Sequence, residues 1–468
     1  MSRRAIRRTK IVATLGPAWE QPARMIALLD AGVDVVRINA SHGTPEIRTR
    51  WIGQLRTVLA SRRAAAAVLF DLQGPRIRVG NLQEPLRLEP GQRVVFAPES
   101  VARPGEIPTT YDDLAKDVRV GARILLDDGL LALEVQGVRD ERVEAVVHYG
   151  GDLKAHKGLN LPGIEVSAPA LTEKDVEDVK QAVALGVDYI ALSFVRRPED
   201  LEQLRALVPR GVKLVAKIEK DTALKNLCGI LDASDAIMVA RGDLGVELPF
   251  EEVPLIQKKI IREASLHGKP VITATQMLES MVHAPRPTRA ETSDVANAIL
   301  DGTDAVMLSE ETAMGNYPVK AIETMARIAR HAEAALDPAV FLARTRDERI
   351  VAMEVSEAAV HVARSLQAAA IVTPTGGGAT PRFVARLRPR IPVVAMTRRR
   401  ETARFLNFIW GVQPVHTPKL GDLEATLKFG IDRLKRDGLV RAGQHVVFTA
   451  GFPSDGQASN LMTVQRVR

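Results

Sequence analysis

Residues 217–247 read KIEKDTALKNLCGILDASDAIMVARGDLGVE, and the reading of this stretch decides the fold. An apolar run, Leu214–Ile218, is broken at Lys217 and ends on Glu219. A helical segment follows, then a second apolar run, Ala236–Ala240, closed by Arg241-Gly242-Asp243. Strand, helix, strand is the unit of a parallel sheet. Glu219 and Asp243 lie 24 residues apart, a suitable length for one such repeat. Neighbouring parallel strands run about 4.8 Å apart, so both carboxylates are expected side by side at the carboxyl ends of adjacent strands. Oxygen ligands of this kind suit Mg²⁺, which takes one or two carboxylates and fills its shell with other oxygens. Lys217 adds a cation beside them. Taken alone, the same residues also fit a solvated loop with an ordinary salt bridge.

Working outward, the same rhythm recurs. Lys10–Thr14, Val33–Ile38 and Ala67–Phe70 are apolar runs separated by helical patterns at Ala23–Leu29 and Glu46–Ala60, with Gly32 placed to cap the first helix. The rhythm resumes at Thr172, which with Asp175 makes a helix start, and Gly186 ends that helix. Strands are expected at Asp188–Leu192, Lys213–Ile218, Asp235–Ala240, Pro270–Thr275 and Asp304–Leu308, with helices such as Val253–Leu266 and Ala290–Leu300 between them. Three strands and five make eight, which predicts a closed (β/α)8 TIM barrel with its active site at the carboxyl ends of the strands. A doubly wound open sheet is the alternative, but it seldom needs eight regular repeats.

Between the two halves the pattern changes to short alternating runs with turn signals, such as Asp128-Gly129, and a short helix or loop at 112–120. This predicts an inserted, mostly β domain of about 85 residues. Past Asp347 the rhythm restarts as a smaller α/β unit, with a helix at Val351–Leu366 and strands at Ala370–Val372, Val393–Met396, Val412–Val415, His445–Phe448 and Met462–Gln465. The expected boundaries are 1–75 and 161–345 for the barrel, 76–160 for the insertion and 346–468 for the C-terminal domain.

Composition narrows the function classes. With 468 residues, 46% apolar and 26% charged, the chain fits a multi-domain globular protein. Its one cysteine, Cys228, excludes an internal disulfide, suggests a reducing compartment and is expected in the core. No run of about 18 apolar residues exists. The basic start MSRRAIRRTK is followed only by IVATL, which reads as a solvated tail and not a signal peptide. A cytoplasmic protein with no membrane partner is expected. The net charge of +7 would permit nucleic-acid binding, but 4% aromatics is poor material for base stacking, so no nucleic-acid partner is expected. A modest positive field also attracts small anions.

Polar residues gather where the barrel reading places strand ends: Arg37, Asn39 and Ser41; Asp71; Ser193; Lys217 and Glu219; Arg241 and Asp243; Thr275; Ser309 and Glu310. Singly, each has a plain reading, such as a helix cap for Ser193 or Thr275. At one mouth of a barrel that needs apolar filling, they read together as an active site.

These residues carry a resemblance. RRTKIVATLGPA (7–18), AGVDVVRINASHG (31–43), DLQGPRIRVG (71–80), KGLNLPG (157–163), MVARGDLGVE (238–247), ITATQMLESM (272–281) and PRPTRAETSDVANAILDGTDAVMLS (285–309) resemble the pyruvate kinases, and the likeness runs over nearly the whole chain. It implies transfer of the phosphoryl group of phosphoenolpyruvate to ADP, giving pyruvate and ATP, by a barrel whose insertion is a β-barrel lid and whose C-terminal domain is regulatory, in a homotetramer. On the matching positions it implies Glu219 and Asp243 as Mg²⁺ ligands and Lys217 at the bridging phosphoryl oxygen. Arg37 and Arg78 would grip the phosphoryl oxygens, Gly242 and Asp243 would offer backbone N–H groups to the substrate carboxylate, and Thr275 would relay a proton through water. Thr14, Pro17, His42, Arg78 and Lys157 would lie near ADP. Asn39, Ser41, Asp71 and the carbonyl of Leu72 would form a K⁺ site.

Departures from the family pattern are Ile47 for a tyrosine, Glu310 in LSEET, Leu72 for a threonine, and Arg76 where K⁺-dependent members carry glutamate. Arg76 supplies its own fixed cation, so turnover without added K⁺ is expected; the alternative is that Arg76 points to solvent at the start of the lid. The loop TPTGGGAT, holding Thr373, Thr375, Gly376, Gly377, Gly378 and Thr380, corresponds to a phosphorylated-effector site; a plain turn is the alternative. Arg382 and Arg398–Arg400 would support an anion there, or face solvent. Two other classes compete. Another barrel enzyme acting on phosphoenolpyruvate, a lyase or mutase, would not need Lys157, His42 or the C-terminal domain. A non-catalytic effector sensor should have lost one of Lys217, Glu219, Asp243 or Thr275, and all four remain.

Overall fold

Eight parallel strands close into a barrel in the computed structural model, which describes residues 7–62, 66–342, 350–418, 422–451 and 459–468. The basic start at 1–6 and the expected restart near Asp347 lie outside the described residues. The barrel strands are β1 Lys10–Thr14, β2 Val35–Asn39, β3 Ala67–Asp71, β4 Tyr189–Leu192, β5 Lys213–Ile218, β6 Ala236–Ala240, β7 Val271–Ala274 and β8 Ala305–Leu308. Each pairs with its neighbours in sequence order, and β8 pairs with β1 to close the ring. The open-sheet alternative is thereby excluded.

Alternation along each strand sorts side chains into two layers. Val12, Val35, Leu69, Ala191, Val215, Met238, Ile272 and Met307 fill the barrel interior. Ile11, Val36, Phe70, Ile190, Leu214 and Val239 pack outward against the helices. Both sets are buried, which is why the strands read as unbroken apolar runs.

An aspartate precedes each even strand. Asp34, Asp188, Asp235 and Asp304 accept the backbone N–H of Ile11, Val68, Leu214 and Val271 at 2.8, 2.8, 2.9 and 3.0 Å. Each pins the start of an odd strand at the amino end of the barrel. Asp188 and Asp304 also meet Arg404 and Arg388 of the C-terminal unit. That unit is a five-stranded sheet of β9 Ala370–Pro374, β10 Val393–Thr397, β11 Val412–His416, β12 His445–Ala450 and β13 Leu461–Arg466, in the order β11-β10-β9-β12-β13. Its residues Ile371, Val384 and Phe405 belong to the same buried cluster as the barrel interior. It therefore docks on the face opposite the strands' carboxyl ends.

Between β3 and β4 a six-stranded sheet and a two-stranded ribbon enclose a separate core around Phe96, Ile124, Leu133 and Val143. The sheet's outer strands are Leu159–Asn160 and Ile107–Thr109. Arg78 bridges Gly158 beside the first, and Val79 bridges Thr109 in the second, so this segment joins the two edges.

Several expectations shift. The single helix between β5 and β6 is two, Asp221–Lys225 and Leu227–Ala233, parted at Asn226. The Asn226 amide leaves the helical pattern to donate to Arg196 O at 2.9 Å. Cys228, expected in the core, is exposed, because the break turns it outward. Thr172 and Asp175 form the expected capping box, and Gly32 takes the left-handed cap at φ 118°.

Candidate active site

Lys217 stands near the carboxyl end of β5, and Glu219 lies one residue past it. The next strand, β6, runs parallel in register and leads into the helix Arg241–Glu247, with Asp243 in its first turn. Lys217 Nζ lies 2.9 Å from Glu219 Oε1 and 3.4 Å from Asp71 Oδ1, and donates to Ser193 Oγ at 2.7 Å. Burial alone would lower this lysine. The carboxylates of Asp71, Glu219 and Asp243 outweigh burial and hold the ammonium above the usual range.

Glu219 is wholly buried. Burial, reinforced by Asp243 and opposed by Lys217, pushes its carboxyl up to about 7. Its Oε2 accepts the Phe194 N–H at 2.6 Å. Burial would also raise Asp71, but Lys217 and Arg37 outweigh it and hold that carboxyl below its ordinary value. Arg37 grips Asp71 Oδ2 through Nε and Nη2, both at 2.7 Å, and donates to Thr14 Oγ1 at 3.0 Å.

Glu219 Oε1 and Asp71 Oδ1 are buried without an aligned hydrogen bond. The cation that meets both is Lys217, and a single ammonium shared between two buried carboxylates leaves them short of countercharge. Glu219 with Asp243 therefore fits a hard divalent cation. Among the described residues no group of three or more His, Cys, Asp or Glu converges to hold a metal ion.

Past β7 the chain turns sharply. Thr275 and Gln276 take positive φ of 66° and 55°, strained values for residues other than glycine. Arg241 clamps this turn, donating to Thr275 O at 2.6 Å and Ala274 O at 3.2 Å while paired with Asp294. The Gly242 N–H, expected to be open to a substrate carboxylate, donates to Thr275 Oγ1 at 2.9 Å. A Cβ on Gly242 would sit 3.6 Å from that oxygen, an ordinary contact, so the protein's own packing does not demand glycine there.

A cleft of about 220 Å³ opens between mouth and lid, lined by Asp243, Lys220 and Phe194 below and Arg76, Arg78 and Lys157 above. Lys157 pairs with Asp127 at 2.8 Å, and Arg78 donates to His156 O at 2.7 Å. The other residues expected near ADP do not line this cleft. Thr14 is buried under Arg37, His42 is exposed in the turn after β2, and Pro17 lines a separate hollow beside Met314, Tyr317 and Lys320.

Around the expected K⁺ ligands, Asn39 Oδ1 accepts the Ser41 N–H at 3.1 Å and Leu72 O accepts from Ser193 Oγ at 2.7 Å. Arg76 is exposed on the cleft wall, where its charge acts on Arg78; it is not among the charges acting on Asp71. Ile47 packs near Gly43, and Glu310 is exposed. The carboxylate buried at that corner is Glu311, which accepts the N–H groups of Leu278 and Ser309.

In the C-terminal unit, Thr375 Oγ1 accepts the Gly378 N–H at 2.9 Å, Thr402 donates to Gly376 O, and Thr380 is bonded to Ser459. Thr373 is buried. A cleft of about 570 Å³ opens beside Thr375 and Gly376 and is lined by Arg398 and Arg399. Arg382 neither supports this loop nor faces solvent. It lies over Phe405, with Asp235 and Tyr189 of the barrel acting on it, because the junction between the units covers it.

Sequence reasoning missed Lys220 and Glu247, a buried pair at 2.6 Å beneath the cleft. It also missed the Phe194 N–H, a backbone group that side-chain identity cannot announce.

Residues 6–322 match the family described as pyruvate kinase, barrel domain, and residues 353–465 match the family described as pyruvate kinase, alpha/beta domain. A pyruvate kinase of Geobacillus stearothermophilus is 45% identical over 98% of this chain and 80% of its own length. One from Staphylococcus aureus is 42% identical over 99% and 81%. A crystal structure of a pyruvate kinase from Cryptosporidium parvum superimposes with a TM-score of 0.94 at 34% identity, covering 99% of this chain and 96% of that one. A buried lysine–carboxylate cluster at the mouth of a lidded barrel, with both units matched, places the chain in the pyruvate kinase family and makes it a phosphotransferase.

Proposed function

We propose that the chain moves the phosphoryl group of phosphoenolpyruvate to ADP, giving pyruvate and ATP, with Mg²⁺ held by Glu219 and Asp243. The observation that carries this reading is the wholly buried Glu219 carboxylate, which shares the single ammonium of Lys217 with Asp71, under a cleft whose other wall supplies Arg78 and Lys157. The metal, when bound, neutralises charge on the substrate's oxygens. Phosphoryl transfer otherwise needs positioning and charge stabilisation more than covalent help.

Lys217, kept charged by three carboxylates, would face the bridging oxygen as negative charge develops there. Arg37 would turn part of its fork from Asp71 to the phosphoryl group, which suits planar bidentate recognition. Asp243 and Gly242 would seat the substrate carboxylate, and Thr275 would leave Gly242 to orient a water at the enolate carbon. Its hydroxyl is too weak an acid to act alone. Arg78 and Lys157 would come down with the lid, joining Thr14, Pro17 and His42 around ADP and excluding water.

The same reading takes residues 1–75 and 161–345 as barrel, 76–160 as lid and 346–468 as a regulatory domain, in a cytoplasmic homotetramer. A phosphorylated effector would bind at 373–380 with Arg398 and Arg399. The test is pyruvate formation from phosphoenolpyruvate with ADP present or omitted, and with Mg²⁺ present or chelated. Turnover requiring both is expected. Pyruvate formed at the same rate without ADP would overturn the proposal.

A further inference from the structure

The loop that follows β4, Ser193-Phe194-Val195-Arg196, touches both the catalytic cluster and the lid. At its start Ser193, 2% exposed, accepts from Lys217 Nζ at 2.7 Å and donates to Leu72 O at 2.7 Å. Its hydroxyl thus fixes the lysine relative to the end of β3. Phe194 takes a positive φ of 54°, and its N–H donates to Glu219 Oε2 at 2.6 Å. At the loop's end Arg196, 7% exposed, reaches across to the strap that brings the chain back from the lid, with Nη1 donating to Val166 O and Nη2 to Ala168 O at 2.8 Å.

The residue between those two carbonyls is held from the opposite side. Asp117, in the lid, accepts the Ser167 N–H at 2.8 Å and the Ser167 hydroxyl at 2.6 Å, and also the Tyr111 hydroxyl. The three strap residues 166–168 therefore form a joint, with the barrel gripping the outer two and the lid gripping the middle one. Any swing of the lid that moves Ser167 pulls on Arg196, which lies two residues from the amide that holds Glu219.

We infer that the Ser193–Arg196 loop couples lid position to the placement of Lys217 and Glu219, with Ser193 and Arg196 as positioning residues and Asp117 as the lid's end of the linkage. The inference rests on the proposed metal site at Glu219 for its Mn²⁺ readout and on the proposed phosphoryl transfer for its kinetic consequence; Mn²⁺ that does not bind the wild-type protein by its resonance signal counts against the metal site, not the linkage. Its physical content, a link between the metal side and the strap, stands apart from turnover. The strained Phe194 backbone fits such a role, since a residue held in the left-handed region needs its neighbours to keep it there. Second-layer contacts of this kind commonly set how well a ligand carboxylate is presented to its metal.

The experiment uses Mn²⁺ alone as a probe, with binding followed by its electron paramagnetic resonance signal and by hydrogen exchange of peptides covering 161–170. In the wild-type protein Mn²⁺ is expected to slow exchange in the strap. Arg196→Lys keeps the charge but loses the fork that spans two carbonyls. It should weaken Mn²⁺ binding by about tenfold and abolish the metal's effect on strap exchange. Asp117→Ala removes both acceptors from the lid side, should lose the same protection, and serves if Arg196→Lys does not fold. In turnover, Ser193→Ala should lower kcat with the KM for phosphoenolpyruvate unchanged, whereas Arg196→Lys should raise the KM for ADP. Strap exchange indifferent to bound Mn²⁺ in the wild-type protein, or protection intact in both linkage variants, would overturn the inference. A wild-type protein that makes no pyruvate would instead count against the proposed reaction and leave the exchange result readable.

Discussion

Lys217 Nζ and Glu219 Oε1 lie 2.9 Å apart, yet the ammonium is not Glu219's alone, because Asp71 Oδ1 stands 3.4 Å from the same nitrogen. One buried cation serves two buried carboxylates, and Asp243 adds a third charge that acts on both members of the close pair. The cluster is short of positive charge, which a divalent cation would supply before an anionic substrate arrives.

Replacing the lysine tests its part in that balance. Lys217→Met should lower kcat by roughly 10²–10⁴, the loss typical of a charge donor aimed at the transition state. The KM for phosphoenolpyruvate should stay close to that of the wild-type protein. Steady-state rates against phosphoenolpyruvate at saturating ADP decide it. A normal kcat with a raised KM would reduce Lys217 to a binding residue.

The raised Glu219 carboxyl gives a pH prediction with a definite sign. At about 7 it lies above the ordinary 4.5, so the metal-free folded protein holds a proton there that the unfolded chain has lost. This group therefore favours folding below pH 4.5 more than above pH 7, and its contribution falls as pH rises between them. Metal binding needs the ionised form and runs the other way. The Mg²⁺ concentration for half-maximal rate should climb as pH drops from 8 to 6, approaching tenfold per unit below pH 7. A half-saturation that does not move across this range would take Glu219 out of the coordination sphere.

Much of this arrangement was legible in the sequence because it follows period and punctuation. The eight strands are apolar runs buried on both faces, and their order follows from βα alternation; Gly32 and the Thr172/Asp175 pair mark helix ends by local chemistry alone. What stayed hidden depends on partners distant in the chain. An aspartate before a strand reads as a loop residue, and nothing near Asp304 announces Arg388, which is 84 positions away and bonds it at 2.9 Å. Arg382 sits beside the glycine-rich loop in sequence and under the barrel in space. The Asn226 break and the outward turn of Cys228 follow from one hydrogen bond to Arg196 that helical periodicity cannot foresee.

The C-terminal loop allows a clean separation of regulation from catalysis. Gly378 has a φ of 88° and a Cβ there would meet Phe405 at 3.2 Å, so substitution at that position would strain the loop itself. Gly377 has open space around it, and Gly377→Asp places a negative charge beside the cleft with no clash. Activation by a panel of sugar phosphates and nucleotides should disappear in this variant, while basal turnover persists, since every proposed catalytic group precedes residue 350. Loss of basal activity in a folded Gly377→Asp protein would refute the division.

Monovalent-cation dependence turns on Arg76. The expected K⁺ ligands Asn39, Ser41, Asp71 and the Leu72 carbonyl are all present, but Asp71 is already met by Arg37 and Lys217, and the Leu72 carbonyl by Ser193. Arg76 is a fixed cation exposed on the lid-side wall of the cleft, beside Arg78 and apart from those ligands. Two unit charges about 4 Å apart interact by roughly 4 kcal/mol at an effective dielectric of 20. If lid closure brings position 76 that near the phosphoryl group, exchanging a glutamate for an arginine there is large enough to remove the need for an added ion. Turnover in tetramethylammonium buffer should equal that with about 100 mM K⁺ at the same ionic strength, where exposed charges are screened alike. Arg76→Glu should fall in activity without K⁺ and recover when it is added, because the new carboxylate then requires the ion that the arginine made unnecessary. Strong activation of the wild-type protein by K⁺ would show that Arg76 leaves the expected K⁺ site in use.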